Sequence, residues 1–257
     1  MPDAVLVGNI DVAELVFWAF VLFFIGLVFY LRREDRREGY PAEDELTGRL
    51  ESPGGPLSVA PGKTFNLPFG RGTVSPPTGL REPVDIAARR TDRFVGAPYA
   101  PTGDPFVDGI GPAAWAERAR FPDLDAEGRP RIVPLASDRA IYVAPKSPDP
   151  RGMVVTGADG RVAGTVTDLW IDRSDRVIRY LEIATPAGRQ VLAPMAMSKV
   201  DGRRGRVHVD AIPAERFAGV PMPATPGQIS RYEEERVQAY YGGGYLYGLP
   251  TRAEPLL

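Results

Sequence analysis

Two sets of charged residues carry the clearest chemical potential in this 257-residue chain. Asp168, Asp172, Asp175 and Glu182 alternate with Arg173, Arg176 and Arg179, and a second set joins Asp123, Asp125 and Glu127 to Arg129 and Arg131. Carboxylates held near one another and near arginines have their pKa values spread by burial and mutual repulsion. Groups tuned in that way can exchange protons near neutral pH, as a protein-lined proton path requires. The same pattern also describes a solvated surface of ordinary ion pairs, each worth little. Spacing alone leaves both readings open.

Other chemistries are narrowed by composition. The chain has no cysteine and a single histidine, His208, so it offers neither a thiolate nor a histidine cluster for zinc, haem or iron. His208 stands between Val207 and Val209 in a strand-like run, which favours a structural or surface role. No Walker loop, HExxH, GxSxG or dinucleotide fingerprint occurs, and a net charge of −2 argues against nucleic acid as a partner.

The elements that would position the charged sets begin with an anchor. Leu15 to Leu31 carries no charge, and as a helix starting near residue 12 it reaches about 30 Å, the thickness of a hydrocarbon core. No Lys or Arg precedes this run, whereas Arg32, Arg33, Arg36 and Arg37 follow it directly. The positive-inside rule then places residues 1–11 outside, a retained single-pass helix over 12–31, and the bulk in the cytoplasm. Trp18 and Tyr30 fall at the two interfaces, and Arg32, Arg33, Arg36 and Tyr40 are suited to lipid headgroups. Gly39-Tyr40-Pro41 should end the helix.

Residues 32–130 are rich in Pro and Gly and short of apolar runs, yet hold Phe65, Leu67, Phe69, Phe94, Tyr99, Phe106, Trp115 and Phe121. Such a stretch reads as an extended arm ordered on another surface rather than a free linker. Residues 131–257 change texture. Short β-branched runs at 131–135, 140–143, 153–156, 162–171, 177–183, 190–195 and 207–209, with tight turns between them, predict a small antiparallel barrel or sandwich. A C-terminal helix is predicted over 225–241, with Glu233 to Glu235 on its solvated side and Gly242-Gly243-Gly244 ending it. The apolar tail at 245–249 reads as a docking surface.

An ordered series of motifs resembles the H subunit of the purple-bacterial photosynthetic reaction centre, a PRC-barrel family. The series runs Leu31-Arg32-Arg33-Glu34-Asp35-Arg36-Arg37-Glu38-Gly39-Tyr40-Pro41, Lys63-Thr64-Phe65, Ala100-Pro101-Thr102-Gly103-Asp104-Pro105, Ala163-Gly164-Thr165-Val166-Thr167-Asp168-Leu169-Trp170, Arg179-Tyr180-Leu181-Glu182 and Tyr240-Tyr241-Gly242-Gly243-Gly244-Tyr245. The resemblance implies one transmembrane helix, an arm over 32–130 ordered on the partner subunits, a mainly β cytoplasmic domain with a small PRC-type antiparallel barrel, and a C-terminal helix. It implies a non-catalytic subunit of the bacterial inner (intracytoplasmic) membrane that caps the L and M subunits and assists proton delivery to the secondary quinone. Bacteriochlorophyll, bacteriopheophytin, quinones, carotenoid and non-haem iron would lie on other subunits, with a cytochrome subunit and light-harvesting antenna as further partners beside membrane lipids.

By the same resemblance Asp172 matches a relay aspartate, Asp175 replaces a relay glutamate, Arg179 matches an arginine of that network, and Asp125 matches an acid near the point of proton uptake. One form of the family has histidines where Glu127 and Arg129 stand. A glutamate serves there only if its pKa is raised, and an arginine releases no proton. Uptake then falls to Glu127, Asp125 or water. The rival reading is a membrane-anchored PRC-barrel assembly factor or adaptor for another membrane complex.

Overall fold

A computed structural model of the chain describes residues 5–7, 10–37, 42–51, 59–76, 85–112, 114, 116 and 118–252. They fall into two compact units, Met1–Pro83 with Asp92–Ala97 and Val84–Thr91 with Pro98–Leu257.

In the first unit, β1 (Val5–Val7) pairs with β2 (Ile10–Asp11), and α1 (Val12–Glu34) follows. Asp11 starts α1 by accepting a hydrogen bond from the Glu14 amide at 2.7 Å, satisfying one of the free N–H groups of the first turn. Arg32 and Arg33 close the helix with the charge its C-terminus favours. A single 3₁₀ turn, Asp35–Arg37, extends the rod past the apolar run. No residue of α1 is buried, as expected of a helix whose apolar surface meets lipid. The expected stop at Gly39-Tyr40-Pro41 lies outside the described residues. A short ribbon, β3 (Phe65–Asn66) and β4 (Thr73–Val74), completes this unit.

The second unit opens with a ribbon of β5 (Ala88–Arg90) and β6 (Tyr99–Pro101). It then builds one sheet from β7 (Ile132–Pro134), β8 (Val154–Thr156), β9 (Val162–Asp172), β10 (Val177–Ala184), β11 (Gln190–Pro194), β12 (Ser198–Asp201) and β13 (Arg206–Val209). The order is β11-β10-β9-β8-β13-β12, with β7 also on β9. This is the expected mainly β architecture, with three differences. The β8–β13 pair is parallel rather than antiparallel. Among the described residues β11 and β12 do not pair, so hydrogen bonding leaves the sheet open rather than closed as a barrel. Finally, Ala140 to Val143 forms no strand, although Ile141 and Val143 pack against the core.

Helix α2 (Arg231–Tyr247) begins later and ends later than the predicted 225–241. Its start is fixed by a capping box: the Ser230 hydroxyl accepts from the Glu233 amide at 3.2 Å, and the Glu233 carboxylate accepts from the Ser230 amide at 2.8 Å. Gly227 stands in the left-handed region (φ 74°), outside the helix. The triple glycine continues the helix because it serves close packing rather than termination. A Cβ on Gly244 would run into the Ala211 carbonyl and Ile212, and one on Gly243 would lie 3.1 Å from the Gly111 Cα. The acids of this helix are not simply solvated either. Glu233 caps, Glu235 pairs with Arg118 at 3.3 Å, and Glu234 is partly buried.

The core lies between the sheet and α2, with Leu169, Tyr180, Leu181, Ile183, Phe217 and Tyr241 fully buried. Each such side chain contributes about 1.5–3 kcal/mol. Part of the predicted arm packs on this same unit. Asp104 pairs with Arg216 at 2.7 Å, the Phe106 ring sits 5.0 Å from Tyr240, and the amides of Arg231 and Tyr232 donate to the carbonyls of Phe121 and Ala119.

Candidate functional site

The β9–β10 turn is built around Asp172, the last residue of β9. Its carboxylate accepts from the amides of Ser174 (2.9 Å) and Asp175 (3.0 Å), and its carbonyl accepts from the Arg176 amide at 2.8 Å. Arg176 takes a left-handed backbone (φ 55°), an uncommon conformation for a side chain of its length. The turn is thus tightly specified around one aspartate.

Register brings the second charged set to this turn. β7 pairs with β9 so that Ile132 faces Asp172, and the Arg173 amide donates to the Arg131 carbonyl at 3.0 Å. Arg131 therefore lies beside the turn. Its guanidinium reaches Asp172 at 2.7 Å, Asp175 at 2.5 Å and Asp123 at 3.7 Å. One arginine holds three carboxylates. Asp172 is buried while Asp175 is more than half exposed, so the cluster runs from solvent to interior. Burial pushes the Asp172 carboxyl up, but Arg131 and the two turn amides outweigh it and hold the group below the usual carboxylate range.

Asp125 sits in the adjoining loop, where it accepts from the amides of Arg129 (2.8 Å) and Glu127 (3.1 Å) and from the Arg129 side chain (2.9 Å). The Arg129 amide first, with its side chain assisting and burial opposing, lowers the Asp125 pKa. Glu127 is exposed and pairs with Arg129 at 3.1 Å. Asp168 and Glu182 stay apart from the cluster. Asp168 accepts from the Ala136 amide, and Glu182 from the Trp170 indole at 2.8 Å.

Arg179 occupies a different place from the one expected. The β9–β10 register shifts between Ile178 and Tyr180, so Arg179 is the extra residue of a bulge. Its recorded ion pair is with Glu234 on α2, at 3.7 Å. Arg131 makes the contacts to Asp172 and Asp175. Glu234 itself escaped the sequence reading, which placed it among solvated helix acids. It accepts from the Tyr180 hydroxyl at 3.2 Å and lines a depression of about 250 Å³ with Asp123, Arg118, Arg179 and Arg231. Burial raises its pKa, Tyr180 and Arg179 pull it back, and the Asp123 charge adds to the rise. Asp123 links the two groups: it pairs with Arg131 of the turn cluster and lines the depression that holds Glu234.

The N-terminal region, residues 4–137, matches the family model described as the photosynthetic reaction centre H-chain N-terminal region. The chain belongs to the reaction-centre H-chain family. Residues 146–216 of this H chain match the PRC-barrel domain, covering β8 to β13. The match over 4–137 separates this H chain from an adaptor that shares only the barrel. Its place is in photosynthesis, as part of a membrane-bound reaction centre complex.

In this H chain Trp18 and Tyr30 lie exposed on α1, and Arg32, Arg33 and Arg36 follow at its end. Tyr40 lies outside the described residues. One helix among the described residues, Val12–Arg37, is long and apolar enough to cross a membrane. His208 hydrogen-bonds through Nδ1 to the Thr156 hydroxyl at 3.1 Å, between two strands of the sheet. No metal-binding group of three His, Cys, Asp or Glu side chains occurs among the described residues.

Proposed function

We propose that this H chain caps the L and M subunits on the cytoplasmic side, stabilises the assembly and passes protons toward the secondary quinone. The charge step across α1 supports a periplasmic N-terminus and a cytoplasmic bulk in the inner (intracytoplasmic) membrane. Pigments, quinones, carotenoid and non-haem iron belong to the other subunits, with a cytochrome subunit and antenna as further neighbours. In this assignment residues 1–11, 12–31, 32–130 and 131–257 are periplasmic segment, anchor, arm and barrel domain.

The observation that carries the proton reading is Arg131, whose guanidinium joins exposed Asp175 to buried Asp172 and to Asp123. Asp175 forms the solvent-facing end of the cluster. Asp172, held anionic, supplies fixed negative potential that favours a proton or hydronium beside it. Glu234, whose pKa burial raises, is the member of the region shifted toward holding a proton. Asp125, locked by its loop, attracts cations rather than carrying protons; Arg179 orients Glu234, and Glu127 adds surface charge. The test is flash spectroscopy of the assembled complex: Asp175→Asn should slow proton-coupled transfer of the second electron severalfold and leave primary charge separation unchanged. Unchanged kinetics from pH 6 to 9 (a roughly thousandfold proton range) would overturn the relay.

A further inference from the structure

We propose that the β3–β4 ribbon is a membrane-surface element whose apolar face lies in the anionic headgroup layer of the bilayer that α1 crosses. Phe65 pairs with Val74 and Asn66 with Thr73, while the Leu67 amide donates to the Gly72 carbonyl at 2.8 Å. With a side-chain period of two, Phe65, Leu67 and Val74 share one face and Thr64, Asn66, Thr73 and Ser75 the other. The Thr64 and Ser75 hydroxyls meet across the polar face at 2.8 Å. Among the described residues this apolar face is left partly open: Phe65, Leu67 and Val74 keep 46, 36 and 42 % of their surface exposed. A two-stranded ribbon is marginal in water by itself, so this face needs an apolar environment.

The height of the ribbon points to lipid. Arg37, in the 3₁₀ turn closing α1, donates to the carbonyls of Pro61 and Pro76, which flank the two ends of the ribbon. Lys63, two residues before β3, bonds Glu34 at 2.7 Å, and its ammonium lies 5.8 Å from the centre of the Tyr30 ring. Glu34 is three residues past Leu31, where the uncharged run stops, a distance of about 4.5 Å along the helix. The base of the ribbon is therefore fixed at headgroup level. Charge agrees: Lys63 and Arg71 flank the face, as anionic lipid favours.

The tip carries a further signal. Phe69 adopts a left-handed backbone (φ 60°), which is rare and strained for an aromatic residue and would suit Asn or Gly. Its ring is half exposed, with the Arg71 guanidinium 5.9 Å from the ring centre. An aromatic ring paired with a cation is the composition that membrane interfaces retain.

This inference is independent of the proton reading and needs only that α1 spans the bilayer. The chain contains no cysteine, so single-cysteine variants can be spin-labelled cleanly. Phe65→Cys and Phe69→Cys would be compared with Thr73→Cys on the polar face and Leu22→Cys on α1. The labelled chain is assembled in its complex, in phosphatidylcholine vesicles with phosphatidylglycerol. Labels at 65 and 69 should favour oxygen over a water-soluble nickel chelate severalfold relative to Thr73→Cys, approaching Leu22→Cys. Thr73-like water access at 65 and 69 would overturn the proposal. So would labels immobilised and shielded from both reagents, which would put a protein against the face. Loss of lipid exposure at Leu22→Cys would overturn the membrane span, and this inference with it.

Discussion

The β9–β10 pair and the β3–β4 ribbon are both antiparallel, and they differ in what their apolar residues meet. Leu169, Leu181 and Ile183 lose all exposure against the rest of the sheet and α2, whereas Phe65, Leu67 and Val74 remain open. Polar residues differ in parallel. Around β9–β10 they are tied into a network centred on Arg131, while on the ribbon the Thr64 and Ser75 hydroxyls pair with each other. The contrast teaches that alternation sets the two faces of a strand pair, and that the layer stacked on it decides whether a face becomes core or contact surface.

The largest expected effect separates the two regions by stability. Phe217→Ala should destabilise the chain by about 3–5 kcal/mol, whereas Phe65→Ala should stay within about 0.5 kcal/mol, both read by chemical denaturation of the detergent-solubilised chain. Equal losses would mean that the ribbon is as deeply packed as the sheet. Next comes Gly244→Leu, which forces a side chain against Ala211 and Ile212 and should cost about 1–3 kcal/mol. A neutral result would mean that the triple glycine does not serve close packing.

A smaller effect tests electrostatics. Asp172 has a lowered folded pKa, so its stabilisation is full above its unfolded pKa and is lost as pH falls through the folded value. Asp172→Asn should therefore flatten the acid limb below about pH 4. Glu234 has the opposite sign. Its raised folded pKa favours the folded state below its unfolded value and erodes stability as pH climbs through the folded one. Glu234→Gln should raise stability at neutral pH relative to its acid value, as read from melts across the pH series. The smallest effect is Ser230→Ala, which removes half the capping box and should cost about 1 kcal/mol; helix content by circular dichroism tests it.

Much of this was legible from residue order. The uncharged run ending in four arginines, and most of the β-branched segments, signal their structures locally. The span of α2 was misread because Gly242-Gly243-Gly244 has the look of a stop, and only the neighbouring Gly111, Ala211 and Ile212 reveal it as a packing surface. Arg179 was joined to the Asp172 network by resemblance, whereas here a bulge sets it beside Glu234 on α2. The central part of Arg131 could not be read from its own segment, because it depends on β7 pairing with β9 across forty residues of chain.

By itself the sequence determined the apolar anchor, the charge step across it, the β texture after residue 131 and the two sets of acids and arginines. Those are properties of composition and period, which act locally. Tertiary structure decided which carboxylates meet, which is buried and which has its pKa raised. Each of those depends on residues brought together from distant segments by strand register and helix packing, where burial and hydrogen bonding set the charge state.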